Sequence, residues 1–119
     1  GAPPLSDPDS DWRYINVRRL LTMIEQSIQL GTRWVFFESN DETLWNALRR
    51  DIGSFLNMLW RDGAMMGSTS TQAYFVTCDA TTTTPTDIEA GRVIVDIGVA
   101  PVRPAEFLMI RIVQSASAP

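Results

Sequence analysis

The residues able to do chemistry are few, and their types exclude the commonest catalytic designs. The chain has 119 residues, with no histidine and a single cysteine, Cys78. Histidine is the commonest general base and a frequent metal ligand, so a Ser-His-Asp triad, a Cys-His pair and a His-containing zinc site are excluded within the chain. A lone cysteine forms no intrachain disulfide, and at the end of an apolar segment we expect it to be a core residue.

Carboxylates are the remaining candidates for acid–base chemistry. The alternative hypothesis is a small α+β ligand-binding domain or a carboxylate-dependent enzyme, with a deep pocket lined by more than one of Asp41, Asp62, Asp79 and Asp96. Asp7, Asp9 and Asp11 alternate as calcium ligands sometimes do, but the central glycine and the later glutamate of an EF-hand loop are missing. We therefore expect a solvated acidic leader there, with no metal and no cofactor.

The charge distribution points to protein partners rather than to nucleic acid. The net charge is −4, and a binder of the phosphate backbone needs clustered positive charge. Arg49, Arg50 and Arg61 give the second predicted helix a cationic side, with Arg50 and Arg61 on nearly the same face. Two interpretations stay open, a solvated helix face and a contact with an acidic protein partner through bidentate arginine pairing.

Hydrophobic periodicity predicts two amphipathic helices. The first covers about 12–30, with Asp11 or Asn16 as N-cap and Gly31 at its C-terminal end; its apolar positions are Val17, Leu20, Leu21, Ile24 and Ile28. The second covers about 41–61, begins after a capping box formed by Ser39 and Glu42, and ends at Asp62-Gly63. A second capping box, Thr86 to Glu89, predicts one further helical turn.

Four short segments of aromatic and β-branched residues predict strands near 34–37, 73–77, 92–99 and 106–113. The order of elements predicts an α+β fold, a two-layer sandwich of a small mixed sheet with the two helices. If the strands at 34–37 and 73–77 are neighbours in the sheet, a right-handed crossover would make them parallel. The predicted organisation is a flexible leader at 1–10, one domain at 11–114 and a flexible tail at 115–119.

The last predicted strand carries more apolar surface than its neighbour. In the strand at 92–99 the alternate residues Val93, Val95, Ile97 and Val99 are apolar. In the last strand Phe107, Met109 and Val113 point one way, while Leu108, Ile110 and Ile112 point the other. A strand that is apolar on both faces needs cover on both. Either it is the centre of the domain's own sheet, or it is an arm that completes a sheet in a neighbouring molecule.

Several segments together resemble a known family. They are Asp11-Trp12-Arg13-Tyr14-Ile15-Asn16-Val17-Arg18-Arg19-Leu20, Trp34-Val35-Phe36-Phe37-Glu38-Ser39-Asn40-Asp41, Trp60-Arg61-Asp62-Gly63-Ala64-Met65-Met66-Gly67, Cys78-Asp79, and Gly91 through Phe107. In this order and spacing the chain resembles the C-terminal domain of contractile tail sheath proteins, the family found in myophage tails, R-type bacteriocins and related phage-tail-like injection particles.

The resemblance implies a structural protein and not an enzyme. Such a subunit polymerises helically around an inner tube and contracts to drive the tube through a target cell envelope. In this family the C-terminal domain forms the inner layer, and extended arms add strands to the sheets of neighbouring subunits. A complete subunit also has an N-terminal arm and outer domains beyond the length of this chain.

Carried over by position, the resemblance assigns two candidate surfaces. The strand-exchange arm at the subunit interface would be Phe107, Leu108, Met109, Ile110, Arg111, Ile112 and Val113, and the possible tube-facing residues would be Arg49, Arg50 and Arg61. The implied partners are other sheath copies, the inner tube protein, and the baseplate and terminator proteins, with no nucleic acid and no membrane insertion. The implied location is the tail sheath of a virion or phage-tail-like particle, assembled in the bacterial host cytoplasm.

Overall fold

Two helices pack on one face of a three-stranded antiparallel sheet. The computed structural model describes the backbone of residues 8–117 and the side chains of residues 14–117. In chain order the elements are α1 (Pro8–Gly31), a 3-10 helix (Arg33–Phe37), α2 (Glu42–Arg61), α3 (Ser70–Ala73), β1 (Tyr74–Thr77), α4 (Pro85–Glu89), β2 (Arg92–Val99) and β3 (Leu108–Ser115). This arrangement confirms the predicted α+β class and both long helices.

The sheet itself is antiparallel throughout, and the predicted mixed sheet is wrong. Its strand order is β1–β2–β3, so β2 is central and β3 is an edge strand. β3 pairs with β2 of the same chain along its whole length, from Val99 opposite Leu108 to Arg92 opposite Ser115. The last predicted strand is therefore not the centre of the domain's own sheet. Within this chain it pairs with β2 and does not extend away from the domain as an arm.

The predicted strand at 34–37 is a 3-10 helix. Val35 N donates to Thr32 O at 3.1 Å and Glu38 N donates to Val35 O at 2.9 Å, which closes two tight turns. The segment packs against β3 as a helical turn, with Val35 buried and Phe36 and Phe37 exposed. Aromatic and β-branched composition favours strands only where a sheet can receive them, so this tertiary setting overrides the local preference. No parallel pairing with β1 follows.

Helix ends differ from the predicted caps in several places. α1 begins at Pro8, so Asp11 and Asn16 lie inside it, and residues 8–10 of the predicted leader are helical. Residues 1–7 lie outside the described part of the chain. At α2 the N-cap is Asp41, whose carboxylate accepts from Leu44 N at 3.1 Å, instead of Ser39.

The short helix α4 begins with a capping box, as predicted, but the box lies two residues before the predicted position. Its capping box joins Thr84 and Asp87, with Pro85 in the first helical turn, instead of Thr86 and Glu89. At the other end of α2, Gly63 has φ 93, so it takes the left-handed conformation that glycine tolerates after a helix end. Gly31 is the last residue of α1 and has no positive φ.

The hydrophobic core lies between the two long helices and one face of the sheet, which we call the inner face. Val93, Val95, Ile97, Val99, Ile110 and Ile112 provide the sheet side, and Ile24, Ile28, Leu48, Ile52 and Leu56 the helix side. After β3, Ala116 N donates to Gly91 O and Ser117 N donates to Glu38 O, so the predicted flexible tail is hydrogen-bonded up to residue 117. None of the helices within residues 8–117 combines the length and the apolar character that crossing a bilayer requires.

Candidate subunit interface along β3

β3 presents an inner face, an outer face and a free edge, and two residues of its inner face are buried within the chain. Ile110 and Ile112 are buried there, and they belong to the same core as Ile24 and Ile28 of α1. Their burial confirms the side predicted for these two residues, whereas Leu108 at the start of the strand is exposed. Each fully buried aliphatic side chain contributes about 1.5–3 kcal/mol of transfer free energy, so this face holds β3 to the domain.

The outer face of β3 is open to solvent. Met109 is 59% exposed and Val113 is 44% exposed, although both are large and apolar. At the start of the strand, Phe107 packs edge-on against Phe75 of β1, with ring centroids 5.0 Å apart. The cover that the sequence predicts for this face is therefore not provided by the described residues of the chain.

A cross-strand ion pair crosses the outer face between β2 and β3. Arg111 lies opposite Asp96, and its Nε and Nη2 donate to the two carboxylate oxygens at 2.8 and 2.9 Å. The hydrogen bond to Asp96, followed by its charge, raises the pKa of the Arg111 guanidinium. A bidentate pair of this kind fixes geometry, and here it marks the register in which β3 lies on β2.

The free edge of β3 carries main-chain groups of alternate residues. Ala116 N donates to Gly91 O in continuation of the β2–β3 ladder, so the even-numbered residues of β3 bond to β2. Because bonded and non-bonded positions alternate in an antiparallel pair, the N–H and C=O groups of Met109, Arg111 and Val113 point away from the sheet. Apart from the carbonyl of Val113, these groups have no hydrogen-bond partner among the described residues, so a strand from another chain could extend the edge there.

A groove of about 270 Å³ runs beside this edge, between α1 and β3. Its lining residues are Arg18, Leu21, Thr22, Glu25, Met109, Ile110 and Arg111. Arg18 and Glu25 place opposite charges on the helix wall, and residues 109–111 of β3 form the other wall. The groove therefore has a mixed polar and apolar lining beside the edge of β3, which suits an extended peptide better than a small apolar ligand.

Two glutamines tie α1 to β3 at the far end of the groove. Gln29 Nε2 donates to Val113 O at 3.1 Å, and Gln114 Nε2 donates to Gln29 O at 2.7 Å and to Thr32 Oγ1 at 3.0 Å. The outward carbonyl of Val113 is thus already paired, and the open part of the edge lies at Met109 and Arg111.

The three arginines singled out in α2 occupy two different settings. Arg49 is half-buried and donates to the main-chain oxygen of Cys78 and to Asn46 Oδ1, with Glu42 Oε1 at 3.3 Å. The side chain of Arg50 is 73% exposed, and Arg61 is exposed in the last turn of the helix. The structure keeps Arg50 and Arg61 on one solvent-facing side, whereas Arg49 ties α2 to the end of β1.

The candidate chemical groups do not form a common site. Asp41 caps α2, Asp62 follows it, Asp79 accepts from Thr81 N at 2.9 Å, and Asp96 binds Arg111. Hydrogen bonds from the Thr81 side chain and main chain, in that order, lower the pKa of Asp79. Asp41 lines a groove beside the 3-10 helix. Among the described side chains of residues 14–117, no group of three cysteine, aspartate or glutamate residues could hold a metal ion.

The remaining candidates behave as structural residues or fall outside the described side chains. Cys78 is fully buried in the core, and this burial raises the pKa of its thiol to about 12, so it is no activated nucleophile. Asp7 lies outside the described residues, and so do the side chains of Asp9 and Asp11.

Sequence reasoning missed two features of this surface. The hydrogen bond from Gln114 to Gln29 joins residues 85 positions apart, and no local sequence pattern predicts such a contact. Phe36 and Phe37 form an exposed, edge-on pair with ring centroids 5.2 Å apart. The sequence does not predict this exposure, because an aromatic segment favours a buried strand.

Comparison with known proteins identifies a family for this chain. A family model described as the phage tail sheath C-terminal domain matches residues 7–115. Among solved structures, a chain of the contracted sheath complex of PVC, an extracellular contractile injection system, is 38% identical with a TM-score of 0.68, and the match covers 81% of this chain and 27% of that one.

A chain in the baseplate of the anti-feeding prophage is 35% identical with a TM-score of 0.69, again over 81% of this chain and 27% of that one. Comparison with curated proteins gives no significant match. The chain thus spans well under half the length of these solved relatives. The family model covers nearly all of the sequence, and the chain belongs to the phage tail sheath C-terminal domain family.

Proposed function

We propose that this chain is the inner-layer domain of a sheath subunit, which polymerises helically with its copies around an inner tube and contracts to drive the tube through a target cell envelope. Family membership supports the class of function. The observation that carries the proposal to particular residues is the open edge of β3. Unpaired N–H and C=O groups on an edge strand are a template for strand addition, which gives affinity through main-chain hydrogen bonds.

In this proposal Phe107 to Val113 receive a strand instead of leaving the domain as an arm. Withdrawing β3 would expose Ile110 and Ile112, together with the residues of α1 beneath them, at a cost of about 1.5–3 kcal/mol for each side chain. Adding a strand to the free edge has no such cost. The residues assigned to the interface remain the same, and their role becomes that of an acceptor.

The outer face of β3 supplies a second contact for the same neighbour. Met109 and Val113 are exposed on either side of Arg111, and Phe107 stands at the start of the strand. A subunit that covers this face would bury apolar side chains around the Arg111–Asp96 pair. This arrangement of an apolar patch with a satisfied polar centre suits a protein–protein interface.

The partners follow from the same assignment. The solved relatives lie in a sheath complex and in a baseplate, which supports contacts of this subunit with other sheath copies and with baseplate proteins. We further propose an inner tube protein and a terminator protein as partners, and the sheath of a virion or phage-tail-like particle, assembled in the bacterial cytoplasm, as the location. We propose no nucleic-acid partner and no membrane insertion.

The alternative, a ligand-binding or carboxylate-dependent enzymatic domain, finds less support. It requires a pocket shared by more than one of the four aspartates, and these residues cap helices, hold a loop or pair with Arg111 at separate places. We therefore propose that the domain is structural and carries out no catalysis.

Met109→Pro in the full-length protein tests strand addition at β3. The substitution removes one outward N–H, and proline is tolerated on an edge strand where its missing N–H would face away from the sheet. We expect the variant to remain folded by circular dichroism and to form no sheaths visible by electron microscopy. Met109→Val is the matched control, because it changes the same side chain but keeps the amide, and it should assemble. Normal sheaths from the folded proline variant would overturn the proposal.

A further inference from the structure

We propose that Gln29 sets the register of the strand that a second sheath subunit adds to β3, because its side chain closes the edge at Val113. This inference rests on the proposed function, since it concerns the same edge. It assigns a role to a residue on α1 that lies outside β3 and outside the segment Phe107 to Val113.

The geometry of the Gln29 side chain is that of a main-chain donor from an added strand. Its Nε2 donates to Val113 O at 3.1 Å, and this carbonyl is one of the outward groups of the edge. A strand that continued past Arg111 would have to place its own N–H at the position that this amide occupies. The edge open to a neighbour is therefore short, and its outward N–H and C=O groups are those of Met109 and Arg111.

A short edge with one closed end reduces the number of registers that an added strand can adopt. Register is weakly specified where only main-chain groups are paired, and a slip by two residues keeps the same face of the strand while moving it about 7 Å. The stop at Val113 permits pairing at Met109 and Arg111 and blocks the register displaced toward Ser115. In a helical polymer each subunit repeats the same contact, so one permitted register gives one set of helical parameters.

Gln114 holds the closing residue in place without capping the edge itself. Its Nε2 donates to Gln29 O at 2.7 Å and to Thr32 Oγ1 at 3.0 Å, so it fixes the backbone of α1 from which the Gln29 side chain extends. The two glutamines therefore have different roles. Gln29 caps the outward carbonyl of Val113, and Gln114 anchors α1 to β3.

The test compares full-length sheaths of four variants by cryo-electron microscopy. Gln29→Ala frees Val113 O, and we expect sheaths of mixed register, with the fraction of segments sharing one helical symmetry reduced at least about twofold. Gln114→Ala removes a helix–strand tie of similar size but leaves Val113 O capped, so it should lower the unfolding temperature and keep uniform symmetry. Uniform symmetry in Gln29→Ala would overturn the inference.

Gln29→Lys and Gln29→Glu complete the test and cover the case in which Gln29→Ala is too unstable to assemble. Lysine keeps an N–H donor within reach of Val113 O, whereas glutamate has none, so we expect uniform sheaths from the first and mixed sheaths from the second. Sheaths of equally uniform helical symmetry from the lysine and the glutamate variants would overturn the role of Gln29. Failure of the proposed strand addition at β3 is distinguished by a different variant, because Met109→Pro would then form normal sheaths.

Discussion

The ring of Phe75 in β1 lies on the main chain of Gly98, which is its cross-strand partner in β2. A Cβ atom at position 98 would stand 2.1 Å from Phe75 Cε2, well inside any tolerated contact. Phe107 then packs edge-on against the same ring. The aromatic pair that borders the open end of β3 therefore requires a residue without a side chain in the central strand.

Gly98→Ala should destabilise the domain by about 1–3 kcal/mol, because the added methyl group forces Phe75 out of its position and breaks its contact with Phe107. The measurement is the free energy of unfolding from urea titration. If the mechanism is overpacking, Phe75→Leu in the same chain should recover part of the loss, since the smaller side chain leaves room for the methyl group.

Gly53→Ala provides the matched substitution at a glycine with free space. Apart from its chain neighbours and the backbone of α2 itself, no described atom lies within 4 Å of a Cβ built at position 53, which is inside α2. Alanine is favoured over glycine in a helix interior, so we expect a gain of about 0.5–1 kcal/mol. Opposite signs at the two glycines would confirm that the space around each residue decides the outcome, and a stable Gly98→Ala variant would contradict the packing described above.

Much of the fold could be predicted because its pattern is periodic. The two long helices and β2 follow from spacing alone, and the alternation of Ile110 and Ile112 with Met109 and Val113 identifies the two faces of β3. Short, non-periodic features could not be assigned in this way. Ser39 and Asp41 are both competent N-caps, and the choice depends on the extended backbone at Asp41, which local sequence does not fix.

The candidate site could be predicted as a segment but not as a surface. Apolar residues on both sides of β3 indicated that something must cover the outer face, yet sequence does not distinguish a strand that leaves the domain from one that stays and receives a partner. That distinction depends on α1, which buries the inner face, and on Gln29, whose contact with Val113 spans 84 positions. Contacts of such separation leave no periodic signal.

Cys78 gives a prediction for stability at high pH. Burial raises the thiol pKa in the folded state from its ordinary value of about 9 to about 12. The thiol of the unfolded chain loses its proton first, so the contribution of Cys78 to stability is fully present below about pH 9 and is lost as the pH rises toward 12. The free energy of unfolding should therefore fall over this range, measured by denaturant titration at each pH.

Cys78→Ala isolates that contribution from the other groups that titrate at high pH. The difference between the two chains should be constant below pH 9 and should shrink above it, because only the wild type carries the thiol. A thiol reagent at pH 8 should also modify Cys78 in urea but not in the folded domain. A difference that stays constant up to pH 11 would contradict the burial of the thiol.

Arg50 and Arg61 are the arginines of α2 best placed to contact an inner tube. Charge reversal at Arg49 would remove hydrogen bonds to Cys78 and Asn46, so it would confuse binding with folding. Arg50→Glu with Arg61→Glu changes only exposed positions on one side of the helix. If this side meets an acidic tube surface, the double variant should form sheaths that retain less tube protein, measured by co-sedimentation at low ionic strength.

Arg33→Glu with Arg103→Glu is the control, since it changes the net charge equally at exposed positions outside α2. We expect it to retain tube protein as the wild type does. Raising the salt concentration should weaken tube retention in the wild type and narrow its difference from the α2 variant, because exposed charges are screened over about 8 Å at physiological ionic strength. Equal retention by both double variants at low salt would exclude this side of α2 as the tube-facing surface.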